Sequence, residues 1–167
     1  TEQPLAAGKP TNVKAASFAL VEWPTEQLIT KTDLESIVAE GAINSRRVLL
    51  DARSGERFQG VVTEATAKLD PRPGHIPGAF SAPWNVAIDT ETSSFKSVEE
   101  LRRHYESLCV DLADEVITYC GSGISACANI VAIEHAGFAT PRLFVASWSG
   151  WSSDPETPVD VGTVTPD

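Results

Sequence analysis

Cys120 stands directly after the run Val116-Ile117-Thr118-Tyr119 and directly before Gly121-Ser122-Gly123-Ile124-Ser125, with a helical stretch from Ala126 onward. A sulfur at the carboxyl end of a strand, ahead of a glycine-bearing loop and a helix start, occupies anion-binding architecture. The glycines let the loop curl so that successive N–H groups turn inward, and the positive end of the helix dipole lies under the same point. A thiolate placed there is stabilised. The chemistry this predicts is nucleophilic attack by sulfur, the charge being held by the amides of Gly121, Ser122, Gly123, Ile124 and Ser125 without a full cation. A small buried hydrophobe is the alternative reading of any free cysteine, but such a residue does not require Gly-Ser-Gly beside it.

The other two cysteines lack these surroundings. Cys127, among Ala126, Ala128, Ile130 and Val131, is expected in the core, and Cys109 in the core or at a helix end. There is no CxxC pair and no histidine at metal-ligand spacing. Neither a disulfide framework nor a zinc site is expected, no cofactor is implied, and a reducing, cytoplasmic setting fits best.

Presenting Cys120 in this way takes a strand, a loop and a helix, and the rest of the chain repeats that alternation. Val48-Leu49-Leu50 is a wholly apolar run of the kind covered on both faces of a parallel sheet. Glu115 to Tyr119 and Leu143 to Val145 read as further strands, and Ala79 to Pro83 as an edge strand. Thr32-Asp33-Leu34-Glu35 has capping-box spacing and predicts a helix from Asp33 to about Glu40. Ser97-Val98-Glu99-Glu100 is a second box whose helix lines up Val98, Leu101, Tyr105 and Leu108. Ala126 to about His135 is a third helix, ended by Gly137. From Ser54 to Gly78 the chain reads mostly as loop, crowded with Pro71, Pro73, Gly74, Pro77 and Gly78. The predicted class is α/β: a three-layer sandwich with a mainly parallel central sheet, helices on both faces, and a site at the strands' carboxyl ends.

Length and charge bound the rest. The 167 residues suit one domain. Residues 1–17, aperiodic and rich in Ala, Gly, Pro, Lys and Thr, read as a linker from a missing N-terminal domain, residues 18–159 as the domain, and 160–167 as a tail. No apolar run approaches the roughly 18 residues of a membrane span. Thirteen basic residues against 23 acidic ones give a net charge of -10, which disfavours nucleic acid and anionic lipid. An anionic ligand therefore needs a local positive site.

Cys120-Gly121-Ser122-Gly123-Ile124-Ser125-Ala126 resembles the active-site loop of the rhodanese superfamily, in the uncharged form found in its 3-mercaptopyruvate sulfurtransferases. Asp51-Ala52-Arg53, Arg57-Phe58-Gln59-Gly60, Gly74-His75-Ile76-Pro77-Gly78-Ala79 and Ser147-Trp148-Ser149-Gly150-Trp151 resemble the family's landmarks in order. Leu5-Ala6-Ala7-Gly8-Lys9-Pro10 looks like the linker that joins the two domains of tandem members, whose catalytic cysteine lies in the second. The resemblance implies a rhodanese-like fold and sulfur transfer through a Cys120 persulfide, from a small anionic donor to thioredoxin, a small thiol or cyanide. It implies that Arg57 grips the donor's carboxylate and that Ser122 passes a proton to the leaving enolate, unless it is simply a small residue suited to a tight loop. Arg53 is read as a structural partner of Asp51, His75 as structural, and Trp148 and Trp151 as core and wall. Members favouring mercaptopyruvate carry a second substrate arginine where this chain has Thr66, so Lys68 or Arg72 is the candidate replacement. Thiosulfate, whose transferases carry a Cys-Arg-Lys-Gly loop, is the alternative donor, and a low-activity binding module the more distant alternative.

Overall fold

The computed structural model describes residues 16–17, 19–20, 22, 24–41, 43–44, 46–70, 72–111, 113 and 115–164. Pro71 and almost all of the expected linker lie outside them.

Five strands make the central sheet: β1 (Leu28–Ile29), β2 (Arg47–Asp51), β3 (Phe80–Ser81), β6 (Glu115–Tyr119) and β7 (Arg142–Phe144). Their order is β1-β7-β6-β2-β3 and every pairing is parallel. A separate antiparallel pair, β4 (Ile88–Asp89) with β5 (Ser94–Phe95), follows the β3 edge. Among the described residues six α-helices accompany them: α1 (Lys31–Ala39), α2 (Gly55–Gln59), α3 (Glu64–Ala67), α4 (Val98–Glu106), α5 (Ala126–His135) and α6 (Ser147–Ser152).

The apolar strands are covered on both faces, as their composition predicts. Leu49, Ile117 and Tyr119 pack with Leu34 of α1, Phe58 of α2 and Trp148 and Trp151 of α6. The alternate residues Val48, Leu50 and Val116 pack with Leu101 and Tyr105 of α4 and Ala132 and Ile133 of α5. With each fully buried Leu, Ile or Val worth about 1.5–3 kcal/mol, these two clusters fix the three layers and set β6 in the middle of the sheet.

Several local details differ from the sequence reading. Helix α1 is capped by Thr30, not Thr32: extended Thr30 accepts the Asp33 N–H at 3.2 Å and returns its own to the Asp33 carboxylate. Thr32 falls inside the first turn, where its carbonyl receives the Ser36 hydroxyl. The expected loop at 54–78 contains α2 and α3, the latter closed by a Thr63–Thr66 capping box that the later prolines obscure. Val98 is exposed, so α4 buries a narrower face. The Leu143–Val145 strand sits one residue earlier, at Arg142–Phe144, and α6 has no apolar period to announce it. Residues 160–162, read as tail, are tied in: Asp160 exchanges backbone bonds with His75, and Gly162 donates to Gln59.

His75 anchors that closure. Its ring stacks on Phe58 at 3.7 Å, and Nδ1–H donates to the Phe58 carbonyl at 2.7 Å, while Nε2 is buried without a hydrogen-bond partner. Burial, the largest influence, pushes the imidazole below its ordinary 6.5, so the fold selects neutral His75. Stability contributed this way is complete above the unfolded value and is lost as pH falls below about 6.5. Burial and Lys96 push His104 the same way. Urea unfolding across this range is expected to show stability falling with acid, with a shallower slope in His75→Gln. An unchanged slope would remove His75 from the account.

Candidate active site

Cys120 follows the central strand β6, and the turns leaving its two neighbours, β2 and β7, meet it at the same sheet edge. The β7–α6 turn grips the loop from one side. Cys120 N–H donates to Ser147 Oγ at 3.3 Å, its carbonyl accepts the Trp148 N–H at 2.9 Å, and the Gly121 carbonyl accepts both the Ser149 N–H and hydroxyl. The loop then folds back through Gly123, at φ +90°, whose N–H meets Cys120 Sγ at 3.1 Å. A Cβ at position 123 would stand 3.2 Å from the Val145 carbonyl, so both the turn and the close approach require glycine there. The described hydrogen bond to the sulfur comes from Gly123; the side chains of Ser122 and Ile124 are exposed and Ser125 is half-buried at the start of α5.

Cys127 is exposed, not in the core. Helix α5 is apolar nearly all round, and its buried stripe runs through Ala126, Asn129, Ala132 and Ile133, leaving position 127 outside it. The Cys127 thiol donates to the Gly123 carbonyl at 3.4 Å. Cys109 lies just past α4 at φ +61°, half-buried against the core, as a helix-end residue.

The β2 turn brings two arginines. Arg53 is buried and holds Asp51 through its backbone N–H, Nε and Nη2, the last at 2.6 Å; Nη2 also donates to the Gly74 carbonyl, and the guanidinium lies 4.4 Å from the Trp148 ring centroid. Arg57, in α2, forks Asp70 through Nε at 2.8 Å and Nη2 at 2.6 Å. Asp70 is almost buried and also lies 3.4 Å from Arg53 Nη1, a charge contact without hydrogen-bond geometry. The guanidinium reaches the Cys120 loop: a Cβ at Gly121 would stand 3.0 Å from Arg57 Nη2 and 3.7 Å from Nη1. The absence of a side chain at 121 is what leaves room for this cation.

The residues considered for a second positive charge are placed elsewhere. Thr66 is buried in the α3 cap, its hydroxyl donating to Val61. Lys68 pairs with Glu64 at the surface. The Arg72 guanidinium donates to the carbonyls of Ser152, Asp154 and Thr157 and to the Thr157 hydroxyl, closing the C-terminal loop. Those bonds engage the Arg72 guanidinium with the C-terminal loop, and no described contact joins it to the Cys120 loop. Arg57 is set against the Cys120 loop, beside a cavity of about 170 Å³ walled by Arg57, Val61, Thr66, Ala67, Asp70 and Pro73. Cys120 itself is not in that wall.

Sequence reasoning missed Asp70, Ser147 and Ser149. Asp70 lies 13 residues from its arginine without a helical period to connect them. Ser147 and Ser149 stood within a recognised landmark, yet only the fold brings them to Cys120. Among the described residues no histidine, cysteine and carboxylate group could hold a metal, and no helix is long and apolar enough to cross a membrane.

A parallel α/β sheet delivers a cysteine from its central strand into a glycine-bearing loop, where one backbone N–H meets the sulfur and a guanidinium lies alongside, an arrangement chemically suited to sulfur chemistry. The chain belongs to the rhodanese-like domain family, whose pattern matches residues 30–154. It is 42% identical over 115 residues to a Pseudomonas aeruginosa protein named "Probable 3-mercaptopyruvate sulfurtransferase", covering 68% of this chain and 39% of that one. Identity to the mouse 3-mercaptopyruvate sulfurtransferase is 30% over 148 residues, covering 89% of this chain and 47% of that protein. The sulfur transferase subunit of yeast mitochondrial complex I superposes with a TM-score of 0.75 at 29% identity, over 95% of this chain and 53% of that one. The chain spans less than half the length of the curated relatives it matches.

Proposed function

We propose that this domain transfers sulfane sulfur, taking it from 3-mercaptopyruvate onto Cys120 and passing it to a thiol or to cyanide. The observation that carries this reading is the Cys120 sulfur on the Gly123 N–H with the Arg57 guanidinium against Gly121. In the first half-reaction the Cys120 thiolate attacks the donor's sulfur; the S–S bond forms as the donor's C–S bond breaks. The electron pair leaves as the pyruvate enolate, which takes up a proton, a step assigned to Ser122. An acceptor thiolate, from thioredoxin or a small thiol, then attacks the outer sulfur and restores the Cys120 thiolate. The amides of Gly121 to Ser125 hold the charge through the cycle, with Gly123 bonded directly to the sulfur.

Arg57 receives the donor's carboxylate beside Gly121, while Asp70 accepts from its Nε and Nη2 and so orients the guanidinium. The relatives extend to more than twice the span matched here, and we propose that a preceding rhodanese domain completes the site. Three free cysteines suit a reducing, cytoplasmic location.

Parallel steady-state assays with 3-mercaptopyruvate and thiosulfate, on the full-length protein and its Arg57→Gln variant, test the assignment. Loss of a charged hydrogen bond, about 1.5–3 kcal/mol, predicts a roughly 10- to 100-fold drop in kcat/KM for mercaptopyruvate. Preference for thiosulfate would overturn the donor, in line with threonine at 66, and unaltered kinetics would remove Arg57 from substrate binding.

A further inference from the structure

We propose that Ser147 is a positioning residue for Cys120: its hydroxyl fixes the backbone of the nucleophile so that the sulfur stays on the Gly123 N–H. This role rests on the reading of Cys120 as the nucleophile.

Ser147 is fully buried and adopts φ +51°, a left-handed conformation that L side chains rarely take and glycine takes freely. Its hydroxyl proton is already donated, to the Phe144 carbonyl at 2.9 Å. With that proton engaged, Oγ meets the Cys120 N–H at 3.3 Å as an acceptor. The arrangement therefore has one direction, running from the last residue of β7 through Ser147 to the backbone of Cys120. On the other side, the Trp148 N–H holds the Cys120 carbonyl at 2.9 Å. Both peptide groups of the nucleophile are thus gripped from one turn, and the grip on the N–H depends on a side chain.

The same hydroxyl stands near the sulfur's donor. A Cβ at Gly123 would lie 3.9 Å from Ser147 Oγ. Ser147 consequently borders both partners of the 3.1 Å contact between Gly123 N–H and Cys120 Sγ. Without the hydroxyl, the buried Cys120 N–H loses its acceptor and the chain at 120 gains freedom to turn, which loosens that contact.

Ser147→Gly and Ser147→Ala separate the hydroxyl from the backbone, because glycine relieves the left-handed conformation and alanine retains it. Sulfur loading by 3-mercaptopyruvate is followed by intact mass as the gain of one sulfur atom. Both variants are expected to load about tenfold more slowly at saturating donor, short of the roughly 100-fold cost of a 1 Å displacement, with half-saturation unchanged. A second measurement needs no donor: amide hydrogen exchange at Gly123 is expected to accelerate in Ser147→Gly while β6 amides keep their protection. Parent-like loading in Ser147→Gly, a loss confined to half-saturation, or unchanged Gly123 exchange would each overturn the role. Loading that persists in Cys120→Ser would overturn the nucleophile itself, and this role with it.

Discussion

Cys120→Ser is expected to abolish sulfur loading, with turnover falling by more than about 10⁴-fold, the scale of nucleophile removal in other covalent catalysts. The hydroxyl would occupy nearly the same place against Gly123 N–H, so binding and loop geometry survive while the chemistry is lost. An alcohol is not appreciably ionised near neutral pH and cannot form an S–S bond. The check is double: steady-state transfer with either donor, and intact mass after donor treatment, where the parent gains one sulfur and the variant none. Retained turnover would show that Cys120 is not the carrier. Cys109, half-buried beyond α4, serves as the control: Cys109→Ser should still load.

The second large effect concerns stability. Asp51 and Arg53 form a pair with side chains 0% and 1% exposed, and breaking a buried pair from one side leaves an uncompensated charge, costing about 3–5 kcal/mol. Asp51→Ala strands the Arg53 guanidinium with the more distant Asp70 at 3.4 Å. Arg53→Met strands Asp51 and opens the packing on Trp148. Urea unfolding should register each single change at that scale. The double variant should lose clearly less than the sum, because its removals share one interaction. Additive losses would mean that the two side chains act independently.

These two sites were legible in the sequence to different degrees. The Cys120 loop could be read because all its determinants are local: an apolar strand, two glycines, and a helix whose observed limits, Ala126 and His135, coincide with those read from the residues. The sheet could be read because runs such as Val48–Leu50 must be covered on both faces. The Asp51–Arg53 pair was accessible for the same reason, being two residues apart. By contrast, the partner of Arg57 depends on how the segment through Asp70 folds back. The carbonyl cage around Arg72 is built from residues 80 to 85 positions away. Cys127 was misplaced because an all-apolar helix has no internal signal for which face is covered. Thr30 and Thr32 are chemically equal caps, and the short strand β1, which leaves Thr30 extended, decided between them.

In the resting domain Cys120 is only 2% exposed. Adding one sulfur lengthens its side chain by an S–S bond, about 2 Å, toward solvent in the proposed cycle. The domain thus presents different surfaces to the cell when empty and when charged. Empty, the thiol is recessed. Charged, it offers only the atom to be given away. In the proposed cycle the atom offered to an acceptor is therefore the added sulfur and not the recessed Cys120 sulfur itself.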